Sequence, residues 1–162
     1  MDALFAYQVR AMRRIVASED VCLGCRLCEV YCAVRHSKSG DIIKAMTREV
    51  PKPMPRIVVN EAGPTSFALQ CRVCEEPLCV QSCISGAMRK DPDGVVRVDE
   101  ERCIGCWTCV ISCPYGAIAR GPAERPVALK CDMCPGLDVP VCVANCPNEA
   151  LKCEEEDSSG KV

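Results

Sequence analysis

Seventeen of the 162 residues are cysteine, and all but one fall into four short runs. The first is Cys22, Cys25, Cys28 and Cys32, with two, two and three residues between successive cysteines. The second, Cys71, Cys74, Cys79 and Cys83, is spaced two, four and three. The third, Cys103, Cys106, Cys109 and Cys113, repeats the spacing of the first, and the fourth, Cys131, Cys134, Cys142 and Cys146, is spaced two, seven and three. Only Cys153 stands outside these runs. Thiolates are soft metal ligands, and cysteines three apart on a tight loop can turn their sulfurs toward one small metal centre. A last cysteine four residues further on lies a helical turn away and points toward a neighbouring centre.

Spacing of two, two and three, closed by a proline, is the run that binds cubane iron–sulfur clusters: its first three cysteines hold one [4Fe–4S] cluster and its fourth ligates the other cluster of a pair. The third run has every part, from Cys103-Ile104-Gly105-Cys106 through Trp107-Thr108-Cys109 to Cys113-Pro114. Gly105 allows the backbone angles of a loop wrapped round sulfides, and Pro114 ends the helical turn. The first run repeats the pattern with Ala33 in place of the proline. Zinc is the rival of a different class, a zinc-dependent interaction module, but zinc sites use cysteines in pairs, without a third three residues on. A disulfide framework suits the spacing less, because cysteines three apart in a tight loop have poor bridge geometry. Colour separates the readings, since an iron–sulfur protein is brown and a zinc protein colourless. Cys153 reads as a free thiol. His36, the only histidine, reads as structural, its functional alternative being a hydrogen bond that tunes a cluster. Trp107, between two ligands, reads as a shield against water.

Aromatic residues make up only 4% of the chain, so something other than large rings is expected to fill the interior. The net charge is −2 with no basic stripe, which argues against nucleic acid as a partner. No segment approaches the roughly eighteen apolar residues that span a bilayer. Arg13-Arg14 is a twin arginine, but it leads into Ser18-Glu19-Asp20 rather than an apolar stretch, and a cytoplasmic protein is expected. The acidic run Glu154 to Asp157 belongs to residues 152–162, expected as a flexible tail.

Between the runs lie strand signals. Met88 to Val98 turns at Asp93-Gly94, and Arg56–Asn60 with Thr65–Leu69 forms a second expected hairpin around Glu61 to Pro64. Ser85-Gly86-Ala87-Met88, Tyr115-Gly116-Ala117-Ile118 and Asn148-Glu149-Ala150-Leu151 each follow a run and each should turn into a short strand, making the chain an internal repeat. Lys38 to Pro55 holds Pro51, Pro53 and Pro55 and is expected as an irregular loop, linking the repeats or touching a partner.

These stretches carry a resemblance. Cys28-Glu29-Val30-Tyr31-Cys32 with His36-Ser37, Leu69-Gln70-Cys71-Arg72-Val73-Cys74-Glu75, Cys103 to Trp107, and Ala128-Leu129-Lys130-Cys131-Asp132-Met133-Cys134-Pro135 resemble the four-cluster ferredoxin-type subunits of redox enzymes. Within that group the chain is most similar to the carbon monoxide dehydrogenase iron–sulfur proteins, over roughly residues 14–151. The resemblance implies an α+β fold of two ferredoxin-like halves related by a pseudo-twofold, each holding two [4Fe–4S] clusters. The outer half would comprise 14–37 and 126–151 and the inner half 56–125, within one domain spanning 1–151. It also implies that runs one and four, and runs two and three, exchange their last cysteines. The sets are then Cys22, Cys25, Cys28 and Cys146; Cys131, Cys134, Cys142 and Cys32; Cys71, Cys74, Cys79 and Cys113; and Cys103, Cys106, Cys109 and Cys83. With every iron fully ligated and no acid–base constellation, the chain is expected to carry electrons rather than catalyse. The donor implied is a carbon monoxide dehydrogenase, and the acceptor a flavin NAD(P) oxidoreductase or a hydrogenase, in anaerobic metabolism. The alternative is the electron-transfer subunit of a tungsten aldehyde oxidoreductase or of a formate dehydrogenase or hydrogenase complex.

Overall fold

A computed structural model describes residues 12–124 and 126–156. In chain order its elements are β1 (Met12–Ala17), α1 (Leu27–Arg35), α2 (Ile42–Thr47), β2 (Val58–Ala62), β3 (Thr65–Leu69), α3 (Leu78–Gln81), β4 (Met88–Lys90), β5 (Val96–Val98), α4 (Thr108–Ser112), β6 (Ile118–Arg120), β7 (Ala128–Lys130), α5 (Val141–Ala144) and β8 (Leu151–Glu156). Small helices and short strands are mixed along the chain, as an α+β fold requires. The strands form four two-stranded antiparallel sheets, β1–β8, β2–β3, β4–β5 and β6–β7.

The expected hairpins are present. β4 and β5 pair Met88 with Val98 across a turn in which the Gly94 N–H donates to the Asp91 carbonyl at 2.9 Å. β2 and β3 pair Val58 with Leu69 and Ala62 with Thr65. The three turns after the runs lead into β4, β6 and β8 as read from the sequence.

Two apolar clusters organise the interior. One gathers Ile15, Ile57, Val59, Ala68, Val73, Met133 and Leu151 around Cys28, Cys32, Cys131 and Cys142. The other gathers Met88, Val96, Ile118 and Ala128 around Cys109, with Cys79, Cys83, Cys103 and Cys113 against it. Cysteines thus stand where a conventional core has large side chains.

Three expectations are corrected. The segment 38–55 contains α2, because its prolines all lie beyond residue 50 and leave Asp41 free to cap a helix by accepting the Lys44 N–H at 2.8 Å. Glu49 closes this segment by accepting the N–H groups of Lys38 and Ser39 at 3.1 and 2.8 Å. The flexible tail expected from residue 152 begins instead as β8. Leu151, 3% exposed, lies opposite Ala17, and the acidic Glu154 and Glu155 lie opposite Arg14 and Arg13, so the charge run meets a basic strand. Residues 157–162 of that tail lie outside the described residues. Finally, a boundary at 126 cuts a sheet: β7, assigned to the outer half, pairs with β6 and buries Ala128 in the second cluster. The apolar Val127 and Ala128 belong with the hairpin, not with the run that follows. No helix among the described residues is long and apolar enough to cross a membrane.

Candidate metal centre

Each run is a loop that delivers its third cysteine to a short helix. Cys28 and Cys32 lie one turn apart on α1, Cys109 lies on α4 with Cys113 capping it, and Cys79 and Cys142 lie on α3 and α5 with Cys83 and Cys146 just beyond. In runs one and three the loop reaches its helix through a left-handed residue, Arg26 at φ 58° and Trp107 at φ 62°, after a left-handed glycine, Gly24 or Gly105. In runs two and four the longer spacer ends in a proline, Pro77 or Pro140, that starts the helix. Left-handed residues alternating with right-handed ones curl a backbone into a concave cradle for anions such as sulfides.

Two of the four expected sets line cavities. Cys22, Cys25, Cys28 and Cys146 surround one, walled by Leu23, Val59, Ala68 and Leu151. Cys83, Cys103, Cys106 and Cys109 surround another, walled by Ile104, Met88, Val98 and Trp107. In both, three cysteines come from one run and the fourth from another. In the other two expected sets, thiols also lie near a cysteine of another run. Cys74 and Cys79 sense the charge of Cys71 and of Cys113. Cys142 senses Cys131, Cys32 and Cys134, and beyond them Cys28 of the neighbouring set, while Cys131 senses Cys71. Helix α3 packs on α4, and α1 on α5.

A thiolate in these positions needs a cation. Burial pushes the Cys28 thiol up to about 11, with Cys25 and Cys146 adding to the shift, and burial takes Cys79 to about 11 and Cys131 to about 12. Ligation by iron removes those protons. Backbone N–H groups donate to sulfurs, among them Arg56 to Cys32 at 3.2 Å, Met88 to Cys83 at 3.3 Å and Ala128 to Cys103 at 3.5 Å. Such bonds spread the charge of a cluster thiolate. Among the described residues no three of His, Cys, Asp and Glu converge to hold a single metal ion. The cysteines surround spaces rather than points, which fits a cubane better than zinc, whose sulfurs stand about 2.3 Å from one ion.

His36 donates from Nδ1 to the Cys32 carbonyl at 2.8 Å and from Nε2 to Asp132 at 3.2 Å. Arg56 reaches the same Asp132 oxygen at 2.8 Å. Trp107 carries the Arg120 guanidinium 4.5 Å above its ring. Cys153 lies opposite Ile15 in the β1–β8 sheet, with Arg13 Nη2 3.6 Å from its sulfur. Cys25 and Cys106 are exposed, whereas Cys131, Cys134, Cys142 and Cys32 are all buried. Sequence reasoning missed Lys130, which is 2% exposed. A lysine between Leu129 and Cys131 gives no signal of burial, because the pattern there is too short to show a face.

Comparison with known proteins agrees with this geometry. The family model of the 4Fe-4S dicluster domain matches residues 64–156. An iron-sulfur protein of Rhodospirillum rubrum is 39% identical over 89% of this chain and 83% of its own length. The electron transport protein HydN of Escherichia coli K12 is 40% identical over 90% of this chain and 89% of its own length. Among solved structures, the active site complex BamBC of benzoyl coenzyme A reductase with 1,5-dienoyl-CoA contains a chain that matches 94% of this one, with 80% of its own length covered, a TM-score of 0.53 and 26% identity. With its cysteine runs curled over apolar-walled cavities, the chain belongs to the 4Fe-4S dicluster domain family and is an electron-transfer iron–sulfur protein, not itself a catalytic enzyme.

Proposed function

We propose that the chain holds four [4Fe–4S] clusters, one on each crossed set of cysteines, and relays electrons between a catalytic redox subunit and an acceptor. The observation that supports this is the pair of cavities in which three cysteines of one run meet a fourth from another. A [4Fe–4S] cluster supplies reversible one-electron storage with no iron position open to substrate. The sixteen cysteines, all but Cys153, would hold the clusters, and the apolar walls would exclude water. Two pseudo-twofold-related halves, each with two clusters, describe the arrangement.

The run-one and run-three sets, each with an exposed cysteine, would be the ports, and the buried run-four set and half-buried run-two set the conductor between them. Leu23 and Ile104 occupy the same place in the two port loops and are 69% and 64% exposed, an apolar rim suited to a partner. Helix α2 adds a further contact candidate, with Ile43 67% exposed. Motif similarity favours a carbon monoxide dehydrogenase as donor, a flavin NAD(P) oxidoreductase or hydrogenase as acceptor, and an anaerobic cytoplasmic setting.

Anaerobically reconstituted protein should carry about sixteen iron and sixteen sulfide per chain, four of each per cubane. It should accept electrons from a low-potential reductant yet oxidise no carbon monoxide or aldehyde until a catalytic partner is added. A reproducible count near half that value, or turnover by the chain alone, would refute the proposal.

A further inference from the structure

Lys130 is the largest fully buried side chain among the described residues. Its ammonium donates to the carbonyl of Val96 in β5 and to the carbonyl of Cys131, the latter at 2.8 Å. No carboxylate pairs with it among the described residues. A buried ammonium held only by neutral carbonyls is costly, because two dipoles do not replace the water it has lost. The ammonium lies against Cys131 of the run-four set and against Val96, which packs in one apolar cluster with Cys79 and Cys113 of the run-two set. Lys130 favours the thiolates of Cys74 and Cys79 in the run-two set and of Cys131 in the run-four set, in each case against the larger effect of burial.

Those are the two inner sets. Strand β7 pairs with β6 on one side, and Lys130, its last residue, reaches to β5. The port cavities differ: one has no lysine or arginine on its wall, and the other has only Arg26, whose side chain is half exposed and pairs with Glu29 and Glu61.

We propose that Lys130 is a fixed cation shared by the two inner sets, and that it makes the clusters held there easier to reduce. The inference rests on the four-cluster reading above. Each electron accepted adds one negative charge, with no bond made or broken. A positive charge close by in a medium of low polarity stabilises the reduced state more than the oxidised one. Lys130 would thereby keep the middle of the relay from becoming a barrier. A buried site disfavours added charge, and the cation offsets that penalty where water cannot.

The test is a reductive titration of fully reconstituted protein, followed by electron paramagnetic resonance, on wild type and three variants. An iron and sulfide count precedes it and reports separately on the four-cluster reading. Lys130→Gln removes the charge but keeps a donor for the two carbonyls; Lys130→Met removes both; Lys130→Arg keeps the charge. In the neutral variants two of the four clusters should become about tenfold harder to reduce, about 59 mV for a one-electron couple, while the other two stay unchanged. Lys130→Arg should titrate like wild type. Unchanged potentials in a neutral variant that retains all its iron would overturn the inference. So would loss of the inner clusters from both neutral variants with full retention by Lys130→Arg, which would mark a structural role. A wild-type count of about eight iron would remove the four-cluster reading, and this inference with it.

Discussion

Asp132 accepts from Arg56 and His36 with one oxygen and from the Cys134 N–H at 3.1 Å with the other. Burial alone would raise this carboxyl, but the His36 hydrogen bond and the Arg56 charge outweigh it and hold Asp132 well below the usual carboxylate range. Burial alone would lower His36, yet hydrogen bonds to Asp132 and Cys32 hold it up at about 9. The depressed carboxyl stabilises the fold above its unfolded value of about 3.9 and loses that contribution as pH falls below it. The raised imidazole stabilises fully below its unfolded value of about 6.5, and that share is lost as pH rises through about 9. Asp132→Asn should therefore cost about 2 kcal/mol near neutral pH, and the cost should shrink above the His36 value. Anaerobic urea denaturation of cluster-loaded protein from neutral pH upward measures it. A cost independent of pH would show that the pair is not the source.

The port loops make a matched experiment at the scale of the element. Gly24 and Gly105 hold the same place and nearly the same conformation, at φ +64° and +67°. A Cβ on Gly105 would meet the Pro126 backbone oxygen at 2.5 Å, whereas one on Gly24 would meet the Ser66 hydroxyl at 2.8 Å. The hydroxyl can rotate away and the backbone cannot. Both alanine variants bear the left-handed strain of about 1 kcal/mol or more, but Gly105→Ala should lose iron and thermal stability well beyond Gly24→Ala. Equal losses would mean that the close approach of Pro126 does not matter. The cysteine runs, the port glycines and the hairpins were legible in the sequence because each depends on local spacing or local turn chemistry. Helix α2 was not, because three prolines near one end of the segment masked an Asp41 cap at the other. Strand β8 was hidden because its acidic residues pair with Arg13 and Arg14, more than a hundred residues away. Lys130 escaped for the same reason, its burial being decided by β5 and the neighbouring runs rather than by its own neighbours in sequence.

At the scale of the molecule the β1–β8 sheet ties the first described strand to the last. Its visible ion pair is weak: Arg13 stands 4.0 Å from Glu155, with side chains 37% and 68% exposed. Ile15, fully buried, and Leu151 do the holding. Glu155→Gln should change stability by less than about 0.5 kcal/mol. Ile15→Ala should cost about 3 kcal/mol and release the run-one and run-four clusters first. Iron release followed against urea checks both, and comparable effects would shift the weight to the charges. The crossed cavities bear on how such a chain is made. Cys22, Cys25 and Cys28 leave the ribosome before any other cysteine of the four runs, but Cys146, which completes their cavity, leaves after all the rest. Cys83, Cys103, Cys106 and Cys109 are all present far sooner. A nascent chain therefore finishes one port while the three thiols of the other still wait, unligated and open to oxidation, for a partner more than a hundred residues behind them.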